Sequence, residues 1–92
     1  MRQQNEKTQA LFLKEFGENI KKIRQSKNLT QLDLAMRING DAGKISKIER
    51  GVYNLKVSSL LVLAQALSVD IKELLDIKDL DFFKNNILEH ID

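Results

Sequence analysis

Lys44 and Lys47 are the side chains of this sequence best placed to do chemistry. They sit in Ala42-Gly43-Lys44-Ile45-Ser46-Lys47-Ile48-Glu49-Arg50-Gly51, where Ile45 and Ile48 share the lysines' spacing of three. Folded as a helix, this segment buries its isoleucines on one side and shows its charges on another. A lysine presented in that way donates hydrogen bonds and cancels negative charge. Its natural acceptors are phosphate oxygens and the O6 and N7 atoms of guanine. Ala42 can offer only an apolar contact, such as one to a thymine methyl, and Gly43 lets the helix approach a surface closely. Upstream, Thr30-Gln31 opens another helical pattern that runs to Leu34-Ala35, and Asn39-Gly40-Asp41 breaks it. Two short helices across a tight turn form the arrangement that places a helix in the major groove of DNA.

The elements that position these residues are legible as apolar spacing. Phe12, Phe16, Ile20 and Ile23 predict a first helix from about Thr8 to Ser26. Asn28 suits the turn that follows, because asparagine tolerates the left-handed conformation. Thr30 caps a second helix from about Gln31 to Ile38, with Leu34, Ala35 and Ile38 inward. Asp41 caps the third, from about Ala42 to Arg50, and Gly51 stops it. Residues Val52 to Val57 read as a loop. A fourth helix is expected from Ser58 to Leu67, with Leu60, Leu63, Ala64 and Leu67 inward. Asp70 caps a short fifth helix carrying Ile71, Leu74 and Leu75. The tail, Asp76 to Asp92, places Leu80, Phe83, Ile87 and Ile91 on one stripe and predicts a sixth, amphipathic helix. The expected fold is therefore all-α. Residues 1–75 form the main domain and residues 76–92 a C-terminal helical extension.

Composition narrows the function. At 92 residues, with 42% hydrophobic and 30% charged residues, the chain is one ordinary small domain. It has no proline, only four glycines, and 5% aromatics, so its core must be built from Leu, Ile, Val and Ala. Charge is uneven. Residues 1–56 hold 12 Lys/Arg against 6 Asp/Glu, and residues 57–92 hold 3 against 7, which together give the net +2. A basic front with an acidic rear attracts phosphates on one side only. There is no cysteine, hence no disulfide and no thiolate metal site. The polar start and the lack of a long apolar run point to no signal peptide, no membrane span and a cytoplasmic location. His90 is the only histidine and has no nucleophile or metal-like spacing around it. The acidic run Glu73, Asp76, Asp79, Asp81 lacks the loop and glycine of a calcium site. Neither an enzyme, a cofactor nor a metal is expected.

From about Phe16 to Leu75 the sequence resembles the phage-repressor (Cro-like, xenobiotic-response-element, XRE) helix-turn-helix family. The resemblance is carried by Ile23-Arg24, Leu29-Thr30-Gln31, Leu34-Ala35, Ile45-Ser46-Lys47-Ile48-Glu49-Arg50-Gly51 and Leu60…Leu63-Ala64…Leu67…Val69…Leu74-Leu75. It implies a five-helix, lambda-repressor-like DNA-binding domain, here with the amphipathic C-terminal helix added. It implies base contacts from Ala42, Gly43, Lys44 and Lys47. It also implies phosphate contacts from Gln31 and from Tyr53, Asn54 and Lys56 in the following loop, and an ion pair between Arg24 and Glu49. The sequence departs from the family in placing small residues at two reading positions, Asn39 where glycine is usual, and Gly40 where an apolar residue is usual. Sparse direct readout, with DNA shape doing more of the selection, is the expected consequence.

The family commonly binds as a two-fold dimer, which sets half-sites about 34 Å apart on the duplex. Ile71, Leu80, Phe83, Ile87 and Ile91 are the expected dimer residues, although the same tail stripe would also serve to fold back on its own domain. The reading that follows is a small sequence-specific transcriptional regulator, acting as a repressor on double-stranded DNA. Its rival is an antitoxin or other protein-binding module that neutralises a partner protein through its C-terminal helices.

Overall fold

The computed structural model describes residues 2–88, with side chains over residues 6–85. Six helices follow one another among these residues: α1 (Arg2–Ser26), α2 (Gln31–Arg37), α3 (Ala42–Glu49), α4 (Val57–Leu67), α5 (Ile71–Leu74) and α6 (Leu80–Leu88). No strand occurs among them. One core joins the helices. Phe16 and Ile20 of α1 meet Leu34 and Ala35 of α2, Ile45 and Ile48 of α3, Leu63, Ala64 and Leu67 of α4, and Leu74 of α5. The helical spacing selects all of these positions, and six others that it selects, Phe12, Ile23, Ile38, Leu60, Ile71 and Leu75, are half-buried at the edge of the cluster.

The helix starts are set locally. Thr30 accepts from the Asp33 amide at 3.0 Å, and the Asp33 carboxylate accepts from the Thr30 amide at 2.9 Å. This closes a reciprocal capping box. The Thr30 amide and hydroxyl hold the Asp33 carboxyl below the usual carboxylate range. Asp41 accepts from the Lys44 amide at 2.8 Å to cap α3, and Asp70 caps α5. Lys56 opens α4 with no side-chain cap, and α4 begins at Val57, one residue earlier than the sequence pattern places it.

The helix ends share one device. Asn28, Asn39, Gly51 and Ser68 each adopt positive φ, between 54° and 76°. After each, the next amide bonds back to a carbonyl five residues earlier: Leu29 to Arg24, Gly40 to Ala35, Val52 to Lys47 and Val69 to Ala64. This is the Schellman closure that satisfies the last carbonyls of a helix. Asn39 therefore performs the turn for which glycine is usual, since asparagine is among the few side chains that tolerate this region. Gly51 is more constrained. A Cβ on it would lie 2.5 Å from the Lys14 Cα.

α1 and α3 touch backbone to backbone. Gly17 is buried in the middle of α1, and a Cβ there would stand 2.3 Å from the Ile48 carbonyl oxygen and 2.6 Å from that of Glu49. Beside this contact lies a buried ion pair. Arg24 Nε donates to Glu49 Oε2 at 2.7 Å and Nη2 to Oε1 at 2.9 Å, while Nη1 donates to the Leu29 carbonyl at 2.7 Å. The two side chains are only 8% and 3% exposed. The hydrogen bonds to Glu49 hold the guanidinium even more firmly charged than usual. Two further side chains tie helix ends together. Asn19 Nδ2 donates to the Glu73 and Leu74 carbonyls at the end of α5, and Arg37 Nη1 to the Ala66 carbonyl of α4.

The two ends of the chain differ from expectation. α1 starts at Arg2, not near Thr8. Gln3, Gln4, Glu6 and Lys7 are good helix formers, and nothing before Thr8 breaks a helix. The tail is not helical from Asp76. Residues 76–79 form a short non-helical link, in which the Ile77 amide bonds to Leu75, and α6 begins at Leu80. Ile77 is buried, a core position the tail stripe does not contain. Phe83 is 2% exposed and meets Phe12 edge to face at 5.7 Å, so α6 lies along α1. Ile91 lies outside the described residues, as does the side chain of Ile87.

Arg24→Met alone leaves the Glu49 carboxylate buried without its partner. We expect it to lower unfolding stability in urea by about 3–5 kcal/mol. The double variant Arg24→Met, Glu49→Leu, which buries no charge, should be clearly more stable than either single variant.

Candidate nucleic-acid interface

α2, the turn through Asn39 and α3 form two short helices that share one wall of the core. Ile45 and Ile48 turn α3 inward at 0% and 2% exposure, and Glu49 is held by Arg24. The other side of α3 faces solvent. Gly43, Lys47 and Arg50 are exposed along it at helical spacing, with Ala42, Lys44 and Ser46 half-buried on its flanks. Arg50 was not among the side chains the sequence assigned to this face. Its signal was available, because it stands three residues beyond Lys47 and seven beyond Gly43. Its Nε donates to Ser46 Oγ at 3.3 Å, which lays the guanidinium along the helix.

The start of α3 is nearly bare. Around Gly43 the nearest neighbour for an added Cβ is the capping Asp41 oxygen, at 3.0 Å, and beyond it there is open space. Ala42 adds one methyl. Lys44 is thus the first long donor on the helix, and Lys47 follows one turn later. The Lys44 Nζ lies 5.2 Å from the centroid of the Tyr53 ring. The loop after α3 therefore returns to the flank of the helix that it leaves. Tyr53, Asn54 and Lys56 are all exposed on this loop.

Gln31 stands where the second helix begins, but its side chain is engaged within the protein. Its Nε2 donates to Glu49 Oε1 at 3.1 Å, so it joins the Arg24–Glu49 pair as a third member. A carboxylate accepts several hydrogen bonds, and a second donor lowers the cost of burying it. The sequence could not show this, because Gln31 and Glu49 are eighteen residues apart. The amide nitrogen keeps a second hydrogen that can still face outward.

The residues expected at a dimer contact are scattered. Ile71 and Leu80 are half-buried, and Phe83 is covered by its own α1 and so is not free for a second chain. Apolar side chains face solvent at several places, among them Leu11 on α1, Leu32 and Met36 on α2 and Phe82 on α6, and three of them lie together on α4. Val57, Leu61 and Val62 are 79%, 59% and 46% exposed, on a helix that carries no charged residue. Among the described residues no group of His, Cys, Asp and Glu could hold a metal ion, and no helix is long and apolar enough to cross a membrane.

Comparison with known proteins agrees with this geometry. Residues 17–80 match the helix-turn-helix domain family. Control protein C.BamHI of Bacillus amyloliquefaciens is 39% identical over 62 residues, which are 66% of this chain and 76% of that protein. The immunity repressor protein of Bacillus phage phi105 is 38% identical over 55 residues, 60% of this chain but only 38% of the repressor's length. The crystal structure of the restriction-modification controller protein C.AhdI from Aeromonas hydrophila matches with a TM-score of 0.68 at 32% identity, over 71% of this chain and 94% of that one. The controller protein C.Esp1396I, solved as a tetramer with its natural 35 base-pair operator, matches with a TM-score of 0.64 at 35% identity, over 84% and 95% of the two chains. With α2, its tight turn and an outward-facing α3 in place, the chain belongs to the phage-repressor-like (Cro-like, XRE) helix-turn-helix family of DNA-binding transcriptional regulators.

Proposed function

We propose that this protein is an operator-binding repressor that works by occupancy, with α3 in the major groove of double-stranded DNA. The observation that carries the reading is the outward face of α3. Lys47 and Arg50 are exposed on it and Lys44 stands half-buried at its flank, while the opposite face is locked by Ile45, Ile48 and the Arg24–Glu49 pair. Lys44 and Lys47 read base edges, and Ala42 and Gly43 allow close approach. Tyr53, Asn54, Lys56 and the outward hydrogen of Gln31 hold phosphates, aided by the uncapped start of α4. The named relatives support a regulatory role, one of them with operator DNA bound. They give no support to neutralisation of a partner protein through the C-terminal helices. No catalytic role is proposed for any residue, and the place of action is the cytoplasm, where a bacterial or phage operator is found.

The working unit is a homodimer. Its contact is the charge-free α4 face of Val57, Leu61 and Val62, with the half-buried Ile71 and Leu75 beside it. An uncharged apolar face can meet its own copy without burying an unpaired charge. The tail takes no part through Phe83.

Selection from a random duplex pool should recover an inverted repeat with half-sites about 34 Å apart. Affinity for it should fall by about 10³–10⁵ between 50 and 200 mM salt, as 6–10 phosphate contacts require. Lys44→Ala should weaken operator binding by about 1–3 kcal/mol and narrow the gap to random DNA. An unchanged ratio would remove Lys44 as a base reader. In sedimentation, Leu61→Glu should shift the protein from dimer to monomer, and a variant that stays dimeric would place the contact elsewhere.

A further inference from the structure

Tyr53 does more in this fold than stand beside a phosphate. Its ring carries the Lys44 ammonium at 5.2 Å, across a chain reversal fixed by Gly51. That reversal is closed by the backbone. The Val52 amide bonds back to the Lys47 carbonyl at 3.0 Å, and the Gly51 backbone sits against Lys14 so closely that no side chain fits. Tyr53, two residues on, is therefore placed by the backbone and not by its own rotamers alone. Lys44, by contrast, is a four-carbon stem ending in a freely turning ammonium. Ordering such a side chain at the moment of binding costs entropy that works against discrimination.

The neighbourhood makes that cost matter. Ala42 and Gly43 supply no donors at the start of α3, and Asp41 is occupied in capping the Lys44 amide. Lys47 is exposed a turn further on. Lys44 is thus the one long donor at the leading end of the helix, and Tyr53 is the side chain seen holding its head group.

We propose that Tyr53 is a specificity-determining positioning residue, whose ring pre-orients the Lys44 ammonium for base reading. This rests on the reading of α3 as the element that enters the major groove. Tyr53 then has two separable parts. The ring sets how well Lys44 distinguishes one base pair from another, while the hydroxyl donates to phosphate and adds affinity for any duplex.

The test compares wild type with Tyr53→Leu, Tyr53→Phe and Lys44→Ala, alone and combined, on the selected operator and on a random duplex. Tyr53→Leu should reduce the operator-to-random ratio by about two- to fivefold, the size of an exposed cation–π contact. It should add nothing further in the Lys44→Ala background. Tyr53→Phe should keep the wild-type ratio while weakening both duplexes equally. In the DNA-free protein, the Lys44 ε-methylene protons should be shifted upfield by the ring in wild type and Tyr53→Phe, and should lose that shift in Tyr53→Leu. Amide spectra would establish that each variant is folded. A Tyr53→Leu protein with unchanged discrimination, or Lys44 protons indifferent to the ring, overturns the proposal. A wild-type protein that prefers no duplex overturns the DNA-reading assignment itself, and this proposal with it.

Discussion

Two opposite charges lie buried between α1 and α3, and the aim of α3 depends on them. Arg24 and Glu49 meet through two hydrogen bonds. The guanidinium's third bond goes to the Leu29 carbonyl at the end of the α1–α2 turn, and Gln31 adds a donor from the start of α2. One small network thus ties three helices and a turn. In a medium that excludes water, neither charge tolerates a shift of its partner. Stability alone does not explain such a pair, since a well-packed apolar pair of similar size would serve as well. What it supplies is geometry. α3 can roll or slide only by breaking bonds that nothing nearby replaces. The Gly17 crossing adds a steric limit to the electrostatic one, because the α3 carbonyls lie where any side chain on α1 would have to be.

With α3 held from behind, its outward side is free to be spare. The start of the helix carries a glycine and an alanine, and few donors reach beyond it. A surface of this kind fits closely against a groove but asks few questions of the base pairs. In the proposed reading, selection by DNA shape and by two-fold spacing then carries more weight. A charge-free α4 face is consistent with that economy, because a second copy doubles the contacts without enlarging the chain.

What the sequence disclosed was what acts over short distances. Thr30, Asp41 and Asp70 announce helix starts because a cap needs only the next few residues. Asn39 was legible as a departure from the family, and the turn shows why it is harmless: it takes up the left-handed conformation that glycine usually supplies. The core was legible because helical spacing selects one face. The rest depended on contacts between distant segments. Nothing in the first helix marks Gly17 as the place where another backbone passes. The bond from Gln31 to Glu49 was not legible, because the two are eighteen residues apart. The tail stripe correctly marked Phe83 as apolar, but could not say that Phe12 of the same chain would cover it, or that Ile77 in the preceding link would be buried too. Arg50 was passed over as the end of a helix, although the spacing from Lys47 placed it on the exposed face.

The central claim is that α3 is a fixed rod, locked to α1 by Arg24 and Glu49. Native-state hydrogen exchange at the α3 amides of the DNA-free protein tests it most directly. The account predicts that the amides of Ile48 and Glu49 exchange only with the global unfolding seen for Ile20 and Leu67, and that Glu49→Gln opens α3 locally while those two stay protected. Local exchange of α3 in the unmodified protein, well below the free energy of global unfolding, would contradict it.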